Sequence, residues 1–109
     1  MTTQKTISVG ELKLGNEKPF VLVGGINVIE SESMALKVAE TFCSITERLG
    51  IPYIFKASFD KANRSSIASF RGPGLEKGLR ILEKIKSEFN VPILTDVHEA
   101  QQAAPAAEV

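Results

Sequence analysis

The sequence has one cysteine, one histidine, no surplus of charge of either sign and no long apolar run. The lone cysteine, Cys43, cannot close an internal disulfide, so a reducing, cytosolic setting is the default expectation. No cysteine or histidine stands near it at ligand spacing, which argues against a structural zinc site and for a small, buried or half-buried helix residue. The apolar runs are too short to span a membrane. The opening stretch MTTQKTISVGELK lacks the apolar centre of a signal peptide. Thirteen basic residues balance thirteen acidic ones, so there is little long-range attraction for nucleic acid. A length of 109 residues suits one small domain, and a hydrophobic content of 43% suits a folded one.

Within this neutral chain one stretch is strongly basic. Lys56, Lys61, Arg64 and Arg71 stand against a single acid, Asp60, in KASFDKANRSSIASFR. The donors Ser58, Asn63, Ser65, Ser66 and Ser69 lie between them. Fixed cations interleaved with short hydrogen-bond donors suit a small, multiply charged anion such as a phosphate or a carboxylate. A solvated loop is the plain alternative, and its place in the fold decides against that.

Three segments share one design: a proline, an apolar run, then polar residues. They are Pro19 with Phe20–Val23, ending in Gly24, Gly25 and Asn27; Pro52 with Tyr53–Phe55, ending in Lys56; and Pro92 with Ile93 and Leu94, ending in Thr95, Asp96 and His98. Runs apolar on both faces predict buried parallel strands. Between them, Ala35, Val38, Ala39, Phe42, Ile45 and Leu49, then Leu75, Leu79, Leu82, Ile85 and Phe89, recur at helical spacing. Ser31 or Ser33 can cap the first helix. Gly50 before Pro52 and Asn90 before Pro92 stop the two helices. A weaker helix is expected near Glu99 to Ala104. Ahead of everything, Thr6–Val9 and Leu12–Leu14 flank Gly10-Glu11 as a β-hairpin.

The class is therefore α/β, built from consecutive βαβ units. Three parallel strands close no barrel and leave edges unpaired, so the chain reads as the N-terminal part of a longer fold. In such folds the working residues sit at the C-terminal ends of the strands. Asn27, Lys56, Asp96 and His98 all occupy such ends, and the long loop from Ala57 to Pro73 starts there too. Gly72-Pro73-Gly74 then leads into the next helix, whose first N–H groups could add to an anion site. Gly24-Gly25 lacks the spacing of a dinucleotide fingerprint.

Four motifs, GGINVIES, KASFDKANRSS, RGPG and TDVHE, in this order and spanning nearly the whole chain, resemble the 3-deoxy-D-manno-octulosonate 8-phosphate synthase family. The resemblance implies a (β/α)8 TIM barrel, of which residues 1–15 would be the hairpin cap and 19–109 the first three βα units. It implies condensation of phosphoenolpyruvate with D-arabinose 5-phosphate and water, for the lipopolysaccharide core. It implies a cytoplasmic homo-oligomer, a tetramer, with no nucleic-acid or membrane partner and no cofactor. Residue by residue, Lys56 and Ser58 match positions near phosphoenolpyruvate, and Lys61 matches a lysine between the two substrates. Asn63, Arg64 and Ser65 match the clamp on the sugar phosphate. Asp96 matches the sugar end, with His98 behind it. Asn27 stands where metal-dependent members carry cysteine, so the resemblance is to the metal-independent class. The ANRSS segment argues against sister synthases that use erythrose 4-phosphate or an N-acetylated amino sugar. The remaining alternative is a non-catalytic fragment that binds phosphate weakly or associates with intact subunits.

Overall fold

The computed structural model describes residues 3–62 and 68–109. Strands β1 (Ile7–Val9) and β2 (Leu12–Leu14) pair antiparallel, with Val9 opposite Leu12 across the two-residue turn Gly10-Glu11. Only the first turn residue has positive φ, 57° at Gly10, as a type II′ hairpin turn requires. Val9 and Leu12 line one cavity with Asn90, Val91 and Pro92. The hairpin therefore lies at the end of the sheet where the parallel strands begin.

Strands β3 (Leu22–Val28), β4 (Tyr53–Ser58) and β5 (Ile93–Leu94) form a parallel sheet in the order β3-β4-β5. Helices α1 (Glu32–Leu49) and α2 (Leu75–Phe89) are the crossovers. A 3₁₀ turn at Ala100–Gln102 and the short α3 (Ala103–Ala107) follow, so the last helix runs slightly later than the sequence suggested. The first strand differs more. It begins at Leu22 and runs through Gly24, Gly25 and Asn27, while Phe20 stays outside and 66% exposed. Its ladder opens where the Leu22 N–H meets the Pro52 carbonyl at 2.9 Å. A parallel strand extends only where its neighbour offers pairing groups, and here those lie alongside the glycines.

Both glycines are there for close approach. A Cβ on Gly25 would stand 2.0 Å from the Lys56 carbonyl oxygen, and one on Gly24 would stand 3.0 Å from the Phe42 ring.

Ser31 caps α1 by accepting from the Met34 N–H at 3.1 Å, and Gly50 ends it with φ 68°. Its buried face is Ala35, Ala39 and Thr46, with Phe42 half-buried among them. The expected stripe fails at Ile45 and Leu49, which are exposed. At about 100° per residue, Ile45 falls a quarter-turn away from Thr46. Thr46 takes the buried place because its hydroxyl donates to the Phe42 carbonyl at 2.8 Å and so leaves no polar group unpaired.

Helix α2 buries Gly78, Leu79, Ile81, Leu82 and Ile85, and Asn90 ends it in the left-handed conformation. One core joins these helix faces to Tyr53, Phe55, Ala57 and Phe59. Successive strand residues point to opposite faces. Ile54, Lys56 and Ser58 therefore face away from the helices, with Val23 and Leu94 partly exposed beside them. No helix among the described residues is long and apolar enough to cross a membrane.

Candidate active site

The C-terminal end of the sheet is built around Ser58. This last residue of β4 is fully buried, and its hydroxyl donates to the Asp96 carboxylate just beyond β5. Its carbonyl accepts the Ile29 N–H at 3.0 Å, which ties in the end of β3. One serine thus joins three strand ends.

Between Gly25 and Val28 the β3–β4 ladder slips. Gly25 stands opposite Lys56 and Val28 opposite Ser58, so Ile26 and Asn27 together face Ala57 alone. This bulge changes which face the residues after it take. Ile26 and Ile29, three apart, both pack on the helix-side core. Asn27 keeps the open face of Val23 and Gly25 and is exposed, while Val28 and Ile29 are the residues whose faces the slip exchanges. Bulges beside functional clefts commonly re-aim a side chain in this way.

Lys56 is half-buried on the open face of the sheet, in register with Gly25 on one side and Leu94 on the other. Asp96 lies between opposing influences. Partial burial pushes its carboxyl up, but the Ser58 hydroxyl, its own backbone N–H and the charges of His98 and Lys61 outweigh that and hold it below the ordinary carboxylate value. His98 Nε2 is 3.3 Å from the Asp96 carboxylate and 2.6 Å from the Asp60 carbonyl. A carbonyl can only accept, so Nε2 carries the hydrogen. The His98 ring also meets Phe59 edge-on, with centroids 6.1 Å apart.

The structure thus joins Ser58, Asp96 and His98 directly, and places Lys61 and, by strand register, Asn27 and Lys56 at the same end of the sheet. Asn63, Arg64 and Ser65, the expected phosphate clamp, lie outside the described residues. Arg71 counted among the free cations of the basic stretch, and it is not one. Its guanidinium binds Asp60 through two bonds, 2.9 Å from Nε and 2.8 Å from Nη2. The Asp60 hydrogen bonds, then its charge, raise the guanidinium's pKa. Sequence reasoning missed this pair. The available signal was a single acid at one end of a basic loop with an arginine at the other. Lys56 and Lys61, by contrast, make no salt bridge within 4.0 Å among the described residues.

Two ammonium groups, a carboxylate, an imidazole and an amide at one end of the sheet can hold small anions and polarise a carbonyl oxygen. Curated proteins of closely similar sequence exist. The chain is 62% identical over 107 residues to the 2-dehydro-3-deoxyphosphooctonate aldolase of Shewanella halifaxensis. It is 63% identical to the proteins of the same name from Pseudomonas putida strain GB-1 and Stutzerimonas stutzeri. In each case 98% of this chain is covered and 38% of the relative, so the chain spans well under half the length of these relatives. The sequence profile of the DAHP synthetase I family matches residues 2–109, nearly every position that also builds the hairpin, the sheet and this cluster, and the chain belongs to that family.

Proposed function

We propose that this chain forms the hairpin cap and first three βα units of a (β/α)8 barrel that joins phosphoenolpyruvate to D-arabinose 5-phosphate with water. The products would be 3-deoxy-D-manno-octulosonate 8-phosphate and inorganic phosphate, made in the cytoplasm for lipopolysaccharide. The observation that carries this reading is the grouping of Lys56, Lys61 and Asp96 at one end of a parallel sheet. It is supported by the names of relatives more than 60% identical to the chain.

In this reading Lys56 neutralises a phosphoenolpyruvate anion and Lys61 lies between the two substrates, polarising the aldehyde oxygen. Two anionic reactants repel each other, so fixed cations supply both attraction and a near-attack geometry. Asp96 orients the sugar end. The Ser58 hydroxyl is engaged by Asp96, so Ser58 acts through that carboxylate. Asn63, Arg64 and Ser65 hold the sugar phosphate, a task that suits the planar fork of arginine. Asn27 orients the water or a sugar hydroxyl through its amide. A neutral amide is a poor ligand for a transition ion, which favours the metal-independent form of the reaction. The working form would be a homo-oligomer, a tetramer.

The test is a chimera in which this chain replaces the matched 107 residues of the Pseudomonas putida relative. It should consume both substrates and release phosphate, and Lys61→Ala should abolish turnover. A folded chimera inert toward D-arabinose 5-phosphate would refute the reading. The exposed Val23 and Leu94 favour a second reading for the 109 residues alone, as a non-catalytic piece that associates with other subunits. Sedimentation of the isolated chain as an inactive oligomer would support it.

A further inference from the structure

Four contacts converge at the base of the segment 61–71. Arg71 and Asp60 form the two-bonded pair described above. The Lys61 N–H donates to the Arg71 carbonyl at 2.7 Å, and the Gly74 N–H donates to the Phe59 carbonyl at 3.0 Å. His98 Nε2 donates to the Asp60 carbonyl. Gly72, at φ 116°, passes so close that a Cβ there would lie 2.4 Å from the Phe59 oxygen. Both ends of the segment are thereby fastened to each other and to the residues after β5.

We propose that Asp60, Arg71 and His98 are positioning residues, a clasp that fixes the base of this segment and so sets where Lys61 stands at this end of the sheet. The inference rests on the functional reading above and assigns these three residues work that the reading does not. Arg71 is 59% exposed and Asp60 21%, and pairs in such settings add little to global stability. What the fork does supply is geometry: two parallel bonds define an orientation as one cannot. Lys61 is joined through its own N–H to Arg71 and through its peptide bond to Asp60, so the root of its side chain inherits that orientation and the reach of its ammonium is set from there. The charge of Lys61 is felt at Asp96.

The test uses the full-length chimera with Asp60→Asn, Arg71→Lys and the double variant. Displacement of a reacting group by about 1 Å can cost on the order of a hundredfold in rate. The single variants should therefore lose roughly tenfold to a hundredfold in kcat. KM for phosphoenolpyruvate should stay within about twofold, because Lys56, which neutralises that anion in this reading, stands on β4 outside the clasp. The double variant should be no worse than the worse single one, since both break the same link. Asp60→Glu should restore part of the rate. An unchanged kcat, a loss that tracks a fall in the unfolding midpoint, or multiplying penalties would overturn the clasp. An inactive parent chimera would refute the functional reading alone. The clasp would then be judged by limited tryptic cleavage after Lys61. Several-fold faster cleavage in Asp60→Asn at an equal unfolding midpoint supports it, and equal cleavage overturns it.

Discussion

Gly25→Ala adds one methyl group at the point where β3 and β4 are tightest. Its Cβ would stand 2.0 Å from the Lys56 carbonyl oxygen, 3.0 Å from the carbonyl carbon and 3.1 Å from the Lys56 nitrogen. All three atoms are backbone, so no side chain can swing away. A non-bonded carbon and oxygen need more than 3 Å, and strands sit only about 4.8 Å apart, so the strands must separate by about 1 Å. Overpacking of this kind costs about 1–3 kcal/mol, and each lost ladder bond adds about 1 kcal/mol. A total near 3 kcal/mol should lower the unfolding midpoint of the full-length chimera by about 6–12 °C, at about 2–4 °C per kcal/mol for a chain of that size. Two controls separate close approach from glycine substitution in general. Gly24→Ala meets only the Phe42 ring, at 3.0 Å, and that ring can shift. Gly50→Ala meets nothing within 4 Å and carries only the strain of φ 68°, about 1–2 kcal/mol. Scanning calorimetry should rank Gly25→Ala as the most damaging of the three. A midpoint within about 2 °C of the parent, or no lower than that of Gly24→Ala, would refute the steric argument.

Tyr53→Phe removes the hydroxyl that donates to the Gly24 carbonyl at 2.8 Å and keeps the stack on Phe42 at 5.3 Å; urea unfolding should show a loss of about 1 kcal/mol, and no loss would mean the bond is not worth what its geometry suggests. The Cys43 thiol is pushed up by burial and then by Glu47, so iodoacetamide at about pH 8 should alkylate it more slowly than free cysteine, and an equal rate would contradict its placement. Asp96 has a folded pKa below its ordinary value, so its stabilising contribution is present above the unfolded carboxylate value and is lost as pH falls through the folded one. The penalty of Ser58→Ala should therefore be full near about pH 6 and shrink in acid, whereas a pH-independent penalty in urea titrations would contradict the assigned pairing. Exhaustive chelation should leave the activity of the chimera intact; a loss restored by a divalent ion would place the chain in the metal-dependent class.

Much of the fold was legible in residues whose chemistry acts locally. Ser31, Gly50 and Asn90 set helix ends because capping and left-handed geometry depend on a few neighbouring groups. Gly10 set the hairpin turn for the same reason. The apolar letters Phe20 to Val23 point to a strand earlier in the chain than β3, which starts only at Leu22. Its true extent followed from where β4 offers a ladder. Ile45 fits the apolar stripe in sequence yet is exposed, since apolar character alone does not say which flank of a helix has a neighbour.

For the candidate site, the sequence by itself determined which chemistry collects at the strand ends: Asn27 and Lys56 lie in the last residues of their strands, and Lys61, Asp96 and His98 follow theirs within a few residues. Only the tertiary structure decided how those groups are committed. Ser58 and Asp96 are 38 residues apart and meet because β4 and β5 are neighbours. Arg71 is removed from the cationic surplus because Asp60 lies within reach across the base of a loop. Val28 turns to the face of Ser58, and Ile29 to the core, only through a one-residue slip against β4. Hydrogen bonds and ion pairs act over about 3–4 Å in space, and distance along the sequence does not measure that.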